Sequence, residues 1–286
     1  MNSFLFLLVL FSPLVAPSSF LPLATPGYNP TLASKLWDIC MSSYCPVNKI
    51  QNWNVGFVSE AYPNVQDITV LYNTTGNAMG FTAYNPVDDE VWLIFRGTEP
   101  LSLKNWIDDI DTFYIDYPRC AGCKVHEGFY KTYQQIRAQV KYAAQALYSK
   151  YPQSKKVVTG HSLGGALAVE AIMDIFENFG VVHEFYTFGA PRGGNQAFVD
   201  FINGKISSTF NSRITHARDP VPHLPLFNWG FRHLDTEIFY ADDGYVICNK
   251  GEDPNCSNKY DVDINVLDHL AYMGKSMIAY YLECKL

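Results

Sequence analysis

The chain has 286 residues, of which 48% are hydrophobic and 15% aromatic, and this composition excludes an intrinsically disordered protein. The net charge is −7, and the 21 basic residues are scattered along the chain, which argues against nucleic-acid binding and against tight docking on anionic membranes. A chain of this length buries enough surface to form one large core without metal ions or dense disulfides. We therefore predict a globular domain that binds a small neutral or apolar partner.

The N-terminal segment is typical of a secretory signal peptide. Residues 4–11 form an apolar run, and small residues follow, among them Ala16 and Ser18. We expect cleavage at about residues 16–20, which leaves residues 19–286 as a single domain. The apolar run is too short to cross a bilayer, and no later stretch is long and apolar enough, so we expect no transmembrane segment. We expect an extracellular protein or, as the alternative, one in a digestive vacuole or lysosome-like compartment.

The first half of the domain is predicted to contain a helix followed by strands. The helix begins at Pro30, with Asn29 as its N-cap. Three β-branched and aromatic runs follow, separated by Asn, Gly, Pro and Asp, over residues 68–72, 79–84 and 91–95. These runs predict an antiparallel or mixed sheet.

Beyond Cys123 the pattern becomes an alternation of helices and strands. One long amphipathic helix is predicted from the apolar stripe between Phe129 and Leu147 and ends before Pro152. Residues 225–262 are expected to form a hairpin and loops. The other predicted elements are strands over 156–159, 184–188 and 213–216 and helices over 163–179 and 195–202. This alternation indicates an α/β fold with a mostly parallel central sheet and helices on both faces.

The segment Gly160-His161-Ser162-Leu163-Gly164-Gly165 lies between a predicted strand and a predicted helix. This is the context of a nucleophile elbow, in which a sharp turn between small residues holds a serine in a strained and exposed position. Ser162 is therefore the candidate nucleophile. The N-terminus of the helix directs backbone N–H groups, including that of Leu163, toward the charge that develops in acyl transfer. The alternative is a glycine-rich turn with only a structural role.

A serine hydroxyl needs a histidine to accept its proton and a carboxylate to orient that histidine. In this type of fold the order along the chain is Ser, then Asp or Glu, then His. His269 is the preferred base because it follows an Asp-rich stretch and precedes a helical pattern over residues 270–281. His126 comes too early in the chain, and His161 is held inside the elbow. The other downstream histidines are His183, His216, His223 and His233.

Asp219 is the preferred acid. It follows the predicted strand over residues 213–216, and the rigid segment Pro220-Val221-Pro222 would hold its carboxylate still. The other aspartates between the serine and the histidine fall mostly in turn-like sequence that we expect to be solvated: Asp235, Asp242, Asp243, Asp261, Asp263 and Asp268.

Several segments together resemble the class 3 lipases, the family of the filamentous-fungal triacylglycerol lipases. They are the elbow, Phe95-Arg96-Gly97-Thr98, Asn105-Trp106-Ile107, and residues 214–225. The resemblance resumes at residues 268–270 and is faint over 227–262. It implies an α/β-hydrolase that cleaves carboxylic esters of acylglycerols through a Ser162–Asp219–His269 triad and an acyl-enzyme, and it implies no metal or organic cofactor.

The resemblance also implies roles for residues outside the triad. Thr98, which alone would look like a helix cap, would contribute to the oxyanion hole together with Leu163. Residues 99–110 would form a lid, a short mobile helix that opens at a lipid–water interface. Without the resemblance, the same pattern would indicate an ordinary amphipathic surface helix. The apolar lid residues are Leu101, Trp106, Ile107 and Ile110.

We expect covalent modifications in an exported chain. The seven cysteines allow three disulfides and leave one thiol. The cysteines at 120 and 123 could be half of a zinc or redox motif, but no second such pair exists, and the resemblance implies a small disulfide loop. Cys284 has two possible partners, Cys40 and Cys45, and the resemblance favours Cys45. Sequons for glycosylation begin at Asn73 and Asn255. The expected disulfides are Cys45–Cys284, Cys120–Cys123 and Cys248–Cys256.

Two other functions remain open at this point. One is a feruloyl-type or other soluble-ester carboxylesterase, because relatives of this family carry a lid that does not respond to interfaces. The other is a non-catalytic lipid-binding protein that retains the hydrolase fold.

Overall fold

The computed structural model of the protein describes residues 28–73, 78–207, 209–241, 244–260 and 265–285. The expected signal peptide, Thr74 and Thr75 of the first sequon, and four of the rejected aspartates lie outside the described residues. The helices are α1 (Pro30–Ser42), α2 (Val47–Gln51), α3 (Phe57–Ala61), α4 (Leu103–Asp109), α5 (Glu127–Gln134), α6 (Arg137–Lys150), α7 (Leu163–Phe179), α8 (Gln196–Lys205) and α9 (Met277–Lys285). The strands are β1 (Gln66–Asn73), β2 (Ala78–Asn85), β3 (Glu90–Phe95), β4 (Tyr114–Asp116), β5 (Lys124–His126), β6 (Lys155–His161), β7 (Glu184–Phe188), β8 (Phe210–His216), β9 (Glu237–Ala241), β10 (Gly244–Cys248), β11 (Ala271–Tyr272) and β12 (Lys275–Ser276).

An eight-stranded sheet forms the centre of the fold, with the strand order β1-β2-β3-β6-β7-β8-β9-β10. Within this sheet, β3, β6, β7, β8 and β9 run parallel, whereas β1, β2 and β10 pair antiparallel with their neighbours. The strands β4 and β5 form a separate antiparallel pair. The mixed N-terminal sheet and the parallel βαβ region predicted from the sequence are both confirmed. The hairpin expected within residues 225–262 is β9–β10.

Both faces of the sheet are covered by apolar layers, so β3 is buried along its whole length. On one face, Leu167 and Ile172 of α7 lie in a cluster with Phe198 of α8. On the other face, Trp37 of α1 belongs to a second cluster with Phe188. Among the described residues, no helix is long and apolar enough to cross a membrane.

The long helix predicted between Phe129 and Leu147 is in fact two helices, α5 and α6. At the break, the N–H groups of Gln135 and Ile136 donate to the carbonyls three residues earlier, which ends α5. The apolar stripe remains buried on both sides of the break. We attribute the break to tertiary contacts that a helical period does not encode.

Those contacts converge on the buried carboxylate of Asp174 in α7. Tyr133 Oη donates to Asp174 Oδ2 at 2.6 Å, and Arg137, the first residue of α6, donates to both carboxylate oxygens at 2.8 Å. Arg119 also donates to this carboxylate. Burial raises the pKa of Asp174, but these hydrogen bonds outweigh burial and hold the pKa below its usual range. Asp174 thus fixes both helices against α7.

The helix predicted over residues 270–281 is also wrong in its first half. Residues Val266–Leu270 form a short 3₁₀ helix, and β11 and β12 then form a hairpin before α9. The two turn residues, Met273 and Gly274, have φ values of 52° and 75°. Positive φ at both central positions is typical of a type I′ hairpin turn and incompatible with a continuous helix.

The three expected disulfides are present, and Cys40 is a free, buried thiol. Cys45–Cys284 joins the chain after α1 to the C-terminal helix α9. Of the two sequon asparagines, Asn255 is exposed and donates from Nδ2 to Asp253 at 2.9 Å, whereas Asn73 is half-buried at the end of β1. Glycosylation of either remains a prediction.

Replacing Asp174 tests the contacts that join α5, α6 and α7. We expect Asp174→Ala to lower the free energy of unfolding by about 2–4 kcal/mol, because it leaves two arginines without their shared partner. Because both arginines are partly exposed, the expected loss lies toward the low end of the range that is typical when one partner of a buried ion pair is removed. Urea denaturation followed by circular dichroism measures it. The matched control is Lys131→Ala, which removes the exposed Lys131–Glu127 pair and should cost less than about 0.5 kcal/mol. If both variants lost the same free energy of unfolding, Asp174 would not be the residue that fixes α5 and α6 against α7.

Candidate active site

The strained turn predicted for the elbow is confirmed. β6 ends at His161 and α7 begins at Leu163, and Ser162 between them has φ 60° and ψ −132°. Small residues are required around it, because a Cβ on Gly160 would clash with the backbone of Gly164. Such a conformation is rare for a residue with a side chain and is sustained only by its surroundings.

The prediction that Ser162 is exposed is wrong, because its exposed fraction is 0%. The segment that leads from β3 toward Thr98 packs directly against the serine, and a Cβ on Gly97 would lie 2.9 Å from the Cβ of Ser162. Within the described part of the chain, the Oγ atom of Ser162 has no hydrogen-bond partner. The serine therefore occupies a closed site in this structure.

Asp219 and His269, which are 50 residues apart in the chain, form a buried pair. His269 Nδ1 lies 2.8 Å from Asp219 Oδ2, and the other carboxylate oxygen accepts the N–H of Val221 at 2.8 Å. The rigid segment after Asp219 thus holds the carboxylate, as predicted. Because Nδ1 faces the carboxylate, Nε2 is the atom left for other chemistry, and it has no hydrogen-bond partner among the described residues.

Tyr272 is a further residue of the site, which sequence reasoning missed. Its hydroxyl donates to Asp219 Oδ2 at 2.5 Å, and its ring stacks on Trp37 at a centroid distance of 4.9 Å. Burial, together with the charge of Asp219, raises the pKa of Tyr272 well above its usual value, so the hydroxyl stays protonated. The incorrect helix over residues 270–281 concealed this contact. The Met273-Gly274 pair was the available signal for a turn that ends β11 directly after Tyr272.

The alternative acids and bases within the described residues are occupied elsewhere. Asp235 accepts hydrogen bonds from Gly251 and Asn203, and Asp268 accepts from the N–H of Arg218 rather than from the His269 ring. Three of the other histidines are hydrogen-bonded to backbone groups: His183 to Lys156, His216 to Asp268, and His233 to Pro222.

The end of β7 brings the serine close to the Asp219–His269 pair. The N–H of Ser162 donates to the carbonyl of Phe188 at 2.9 Å. A Cβ on the next residue, Gly189, would lie 2.8 Å from Asp219 Oδ2 and 2.9 Å from His269 Cε1. The structure thus gathers the three predicted triad residues in one place, although Ser162 Oγ and His269 Nε2 are not hydrogen-bonded to each other. Such bonds are often formed only once substrate is bound.

Thr98 and Leu163 lie beside this group, as the oxyanion-hole prediction requires. Both line one cleft, together with Trp106, Ile110 and Phe129. Thr98 is buried, and its Oγ1 has no hydrogen-bond partner within the described chain. Within that part of the chain, no cluster of His, Cys, Asp or Glu is arranged to hold a metal ion.

Residues 99–110 form a short 3₁₀ turn followed by α4. Trp106, Ile107 and Ile110 are half-buried, whereas Leu101 is 88% exposed. The Trp106 ring stacks over Phe129 at 6.3 Å. Sequence reasoning missed Leu103, the residue of this segment that is fully buried. The outer face is polar and carries a Lys104–Asp108 ion pair.

The sequence and fold are similar to those of known lipases. A family model described as lipase (class 3) matches residues 92–229. A lipase from Rhizomucor miehei is 35% identical over 215 residues, which cover 72% of this chain and 57% of that protein. Secreted mono- and diacylglycerol lipase 1 from Fusarium solani is 30% identical over 246 residues, which cover 81% of this chain and 72% of that protein.

Two solved structures show the same relationship in three dimensions. Lipase II from Rhizopus niveus superimposes with a TM-score of 0.80 at 29% identity, covering 86% of this chain and 94% of that chain. A triacylglycerol lipase whose catalytic centre is formed by a serine protease triad gives a TM-score of 0.79 at 28% identity, covering 86% of this chain and 95% of that chain. The chain therefore has the α/β-hydrolase fold and belongs to the class 3 lipase family.

Proposed function

We propose that this protein is a secreted serine lipase that hydrolyses the carboxylic ester bonds of acylglycerols. The observation that carries the proposal is the grouping of Ser162, Asp219 and His269 at the start of α7. Ser162 Oγ, His269 Nε2 and Thr98 Oγ1 are buried polar atoms without partners among the described residues. Other buried polar atoms of the described residues, such as Tyr148 Oη, also have no partner. These three differ because all of them lie around the elbow, where a substrate would supply the missing hydrogen bonds.

In the proposed mechanism, His269 Nε2 takes the proton of Ser162 Oγ as this oxygen attacks the ester carbonyl. Asp219 keeps the imidazole in the required tautomer and stabilises the imidazolium. The oxyanion is stabilised by the backbone N–H group of Thr98, which follows β3, and by that of Leu163 at the N-terminus of α7. The imidazolium then protonates the leaving alcohol. Water, activated in the same way, attacks the acyl-enzyme, releases the carboxylic acid and regenerates the serine.

The apolar part of the cleft lining supports a lipid substrate. It consists of Trp106, Ile110, Phe129 and Leu163, beside the proposed oxyanion hole, whereas the remaining lining is mostly polar and includes Asp109 and Asp111. The apolar side chains suit an acyl chain better than a polar alcohol. Disulfides and the secreted relative from Fusarium solani support export.

We further propose that residues 99–110 are a lid. The half-buried Trp106, Ile107 and Ile110 would turn outward at a lipid surface and uncover the serine, exchanging contacts with the cleft for contacts with acyl chains. Leu101, which is already exposed, provides the first apolar contact. The acidic residues of this region, Asp108, Asp109 and Asp111, disfavour strongly anionic surfaces.

Ser162→Ala tests the nucleophile. We expect hydrolysis of a soluble ester to fall by at least about 10⁴-fold, since no acyl-enzyme can form. The free energy of unfolding should not fall and should rise by about 1 kcal/mol, because the substitution removes a buried hydroxyl that has no hydrogen-bond partner among the described residues. An organophosphonate probe, with mass spectrometry, should label Ser162 in the native protein. A native protein that binds lipid but is not labelled would instead support the lipid-binding alternative.

Gly189→Ala tests whether the triad must be closely packed. The added methyl group would press on Tyr272, Asp219 and His269, so we expect kcat on a soluble ester to fall by about 100-fold. Gly180→Ala is the matched control. Gly180 also has a positive φ, 77°, but a Cβ there would meet no atom within 4 Å. Gly180→Ala should lower the free energy of unfolding by about 1 kcal/mol and leave kcat unchanged. Equal kcat values in the two variants would show that the packing at Gly189 is unimportant.

Trp106→Ala tests the lid and separates the lipase from a soluble-ester carboxylesterase. We expect activity on emulsified triacylglycerol to fall by about tenfold, because the indole no longer stabilises the open lid in lipid. Turnover of a dissolved short-chain ester should change by less than about twofold. Phe210→Ala, which removes an exposed aromatic ring at the start of β8, is the control and should affect neither assay. Equal losses on both substrates would favour the carboxylesterase.

A further inference from the structure

A buried chain of hydrogen bonds runs behind the elbow. The N–H of Gly97, next to Thr98, donates to the hydroxyl oxygen of Tyr44 at 3.1 Å. Tyr44 Oη lies 2.8 Å from His161 Nδ1, and His161 Nε2 lies 3.0 Å from the carbonyl oxygen of His269. The side chains of Tyr44 and His161 are almost completely buried. The chain therefore links the loop of the proposed oxyanion hole to the backbone of the proposed base.

The direction of each hydrogen bond in this chain follows from the chemistry of its two ends. The carbonyl of His269 can only accept, so His161 Nε2 must carry the proton and Nδ1 must accept. Tyr44 therefore donates to Nδ1, and its oxygen accepts the N–H of Gly97. Burial, and then the nearby positive charge that His269 can carry, lower the pKa of His161 well below its usual value. His161 thus stays neutral, and this series of hydrogen bonds persists when His269 is protonated.

The surrounding packing leaves little room for these groups to move. A Cβ on Gly97 would clash with Tyr44 Oη and would lie 2.5 Å from the carbonyl oxygen of His161. The rings of His161 and His269 are 4.4 Å apart, and Trp37 packs edge-on against His161 at 5.3 Å. The backbone at Gly97 and the rings of His161 and His269 are therefore packed directly against one another.

We propose that His161 is a positioning residue that fixes the oxyanion loop and the His269 backbone relative to each other, through Tyr44 on one side and directly on the other. This inference rests on the proposed hydrolase function. His161 precedes Ser162 in the elbow, and it connects two groups that must act in the same step: His269, which acts on the serine, and the oxyanion loop, which acts on the substrate oxygen. His161 neither accepts the serine proton nor contacts substrate.

Two conservative substitutions at position 161 separate the two contacts. In His161→Gln, the amide nitrogen replaces Nε2 and can donate to the His269 carbonyl, but the contact with Tyr44 is lost. In His161→Asn, the amide oxygen replaces Nδ1 and can accept from Tyr44, but the contact with His269 is lost. Tyr44→Phe removes the hydroxyl alone, and His161→Phe removes both contacts while retaining an aromatic ring.

The measurement is kcat and KM on a soluble short-chain ester, expressed per site titrated with an organophosphonate. We expect Tyr44→Phe and His161→Gln to lose kcat equally, by about tenfold, with KM changed by less than about twofold, because misplacing an oxyanion donor weakens binding of the transition state alone. His161→Asn should also lose kcat, because its side chain no longer donates to the carbonyl of His269. The double variant Tyr44→Phe/His161→Phe should be no slower than His161→Phe, because both changes interrupt the same chain.

Tyr148→Phe is the matched control, because Tyr148 is a buried tyrosine of α6 whose hydroxyl has no hydrogen-bond partner among the described residues. It should retain the native kcat. The proposal is wrong if Tyr44→Phe and His161→Gln keep kcat per titrated site within about twofold of the native value. It is equally wrong if they lose only thermal stability, or if the losses of the double variant multiply. Should His161→Phe fail to fold, the other single variants decide. A native protein that is neither titrated nor active would refute the proposed hydrolase function itself.

Discussion

The site depends on the close approach of three backbone segments at Ser162. The turn between β6 and α7 holds the serine at a positive φ, which costs about 1–3 kcal/mol for a residue with a side chain. Glycines on both sides let the first turn of α7 lie against the end of β6 and against β3, where a Cβ on Gly164 would clash with the carbonyl of Phe95. The same approach places Gly97 against the serine. The strained backbone is therefore maintained by packing that only residues without side chains permit.

The closed site also contains polar atoms whose burial costs stability. A buried donor or acceptor without a partner costs about 1–3 kcal/mol, and Ser162, His269 and Thr98 each present one such atom. By contrast, Asp219 is held by His269, Tyr272 and the N–H of Val221. The carboxylate is thus fixed by the protein alone, whereas the atoms proposed to meet the substrate are not. This division is what a preorganised catalytic site requires.

Local signals predicted the parts of the fold that local interactions decide. The elbow, α7 with its end at Gly180, and β7 follow from short-range sequence patterns, and the structure confirms them. The errors arise where long-range contacts prevail. The break between α5 and α6 depends on Asp174, which lies in another helix. The burial of Ser162 depends on Gly97, which lies at the end of another strand.

The hairpin after His269 shows how one such error propagates to the site. The apolar residues over 270–281 fit a helical period, so Tyr272 had no predicted role. The turn at Met273-Gly274 instead ends β11 and reverses the backbone into β12, and Tyr272 of β11 contacts Asp219. A single glycine was too weak a signal against the helix-compatible residues on both sides of it. Recognising the turn required knowing what Tyr272 contacts.

The order of the strands in the sheet explains how residues far apart in the chain form one site. Parallel strands end at the same edge of the sheet, where the loops that follow them can meet. In the order β3, β6, β7 and β8, those loops bring Thr98 with the proposed lid, then Ser162, then Gly189, then Asp219. The proposed lid therefore emerges next to the strand that carries the serine, and the acid emerges two strands away, with Gly189 between them. His269 arrives last and fills the space that Gly189, having no side chain, leaves open beside Asp219.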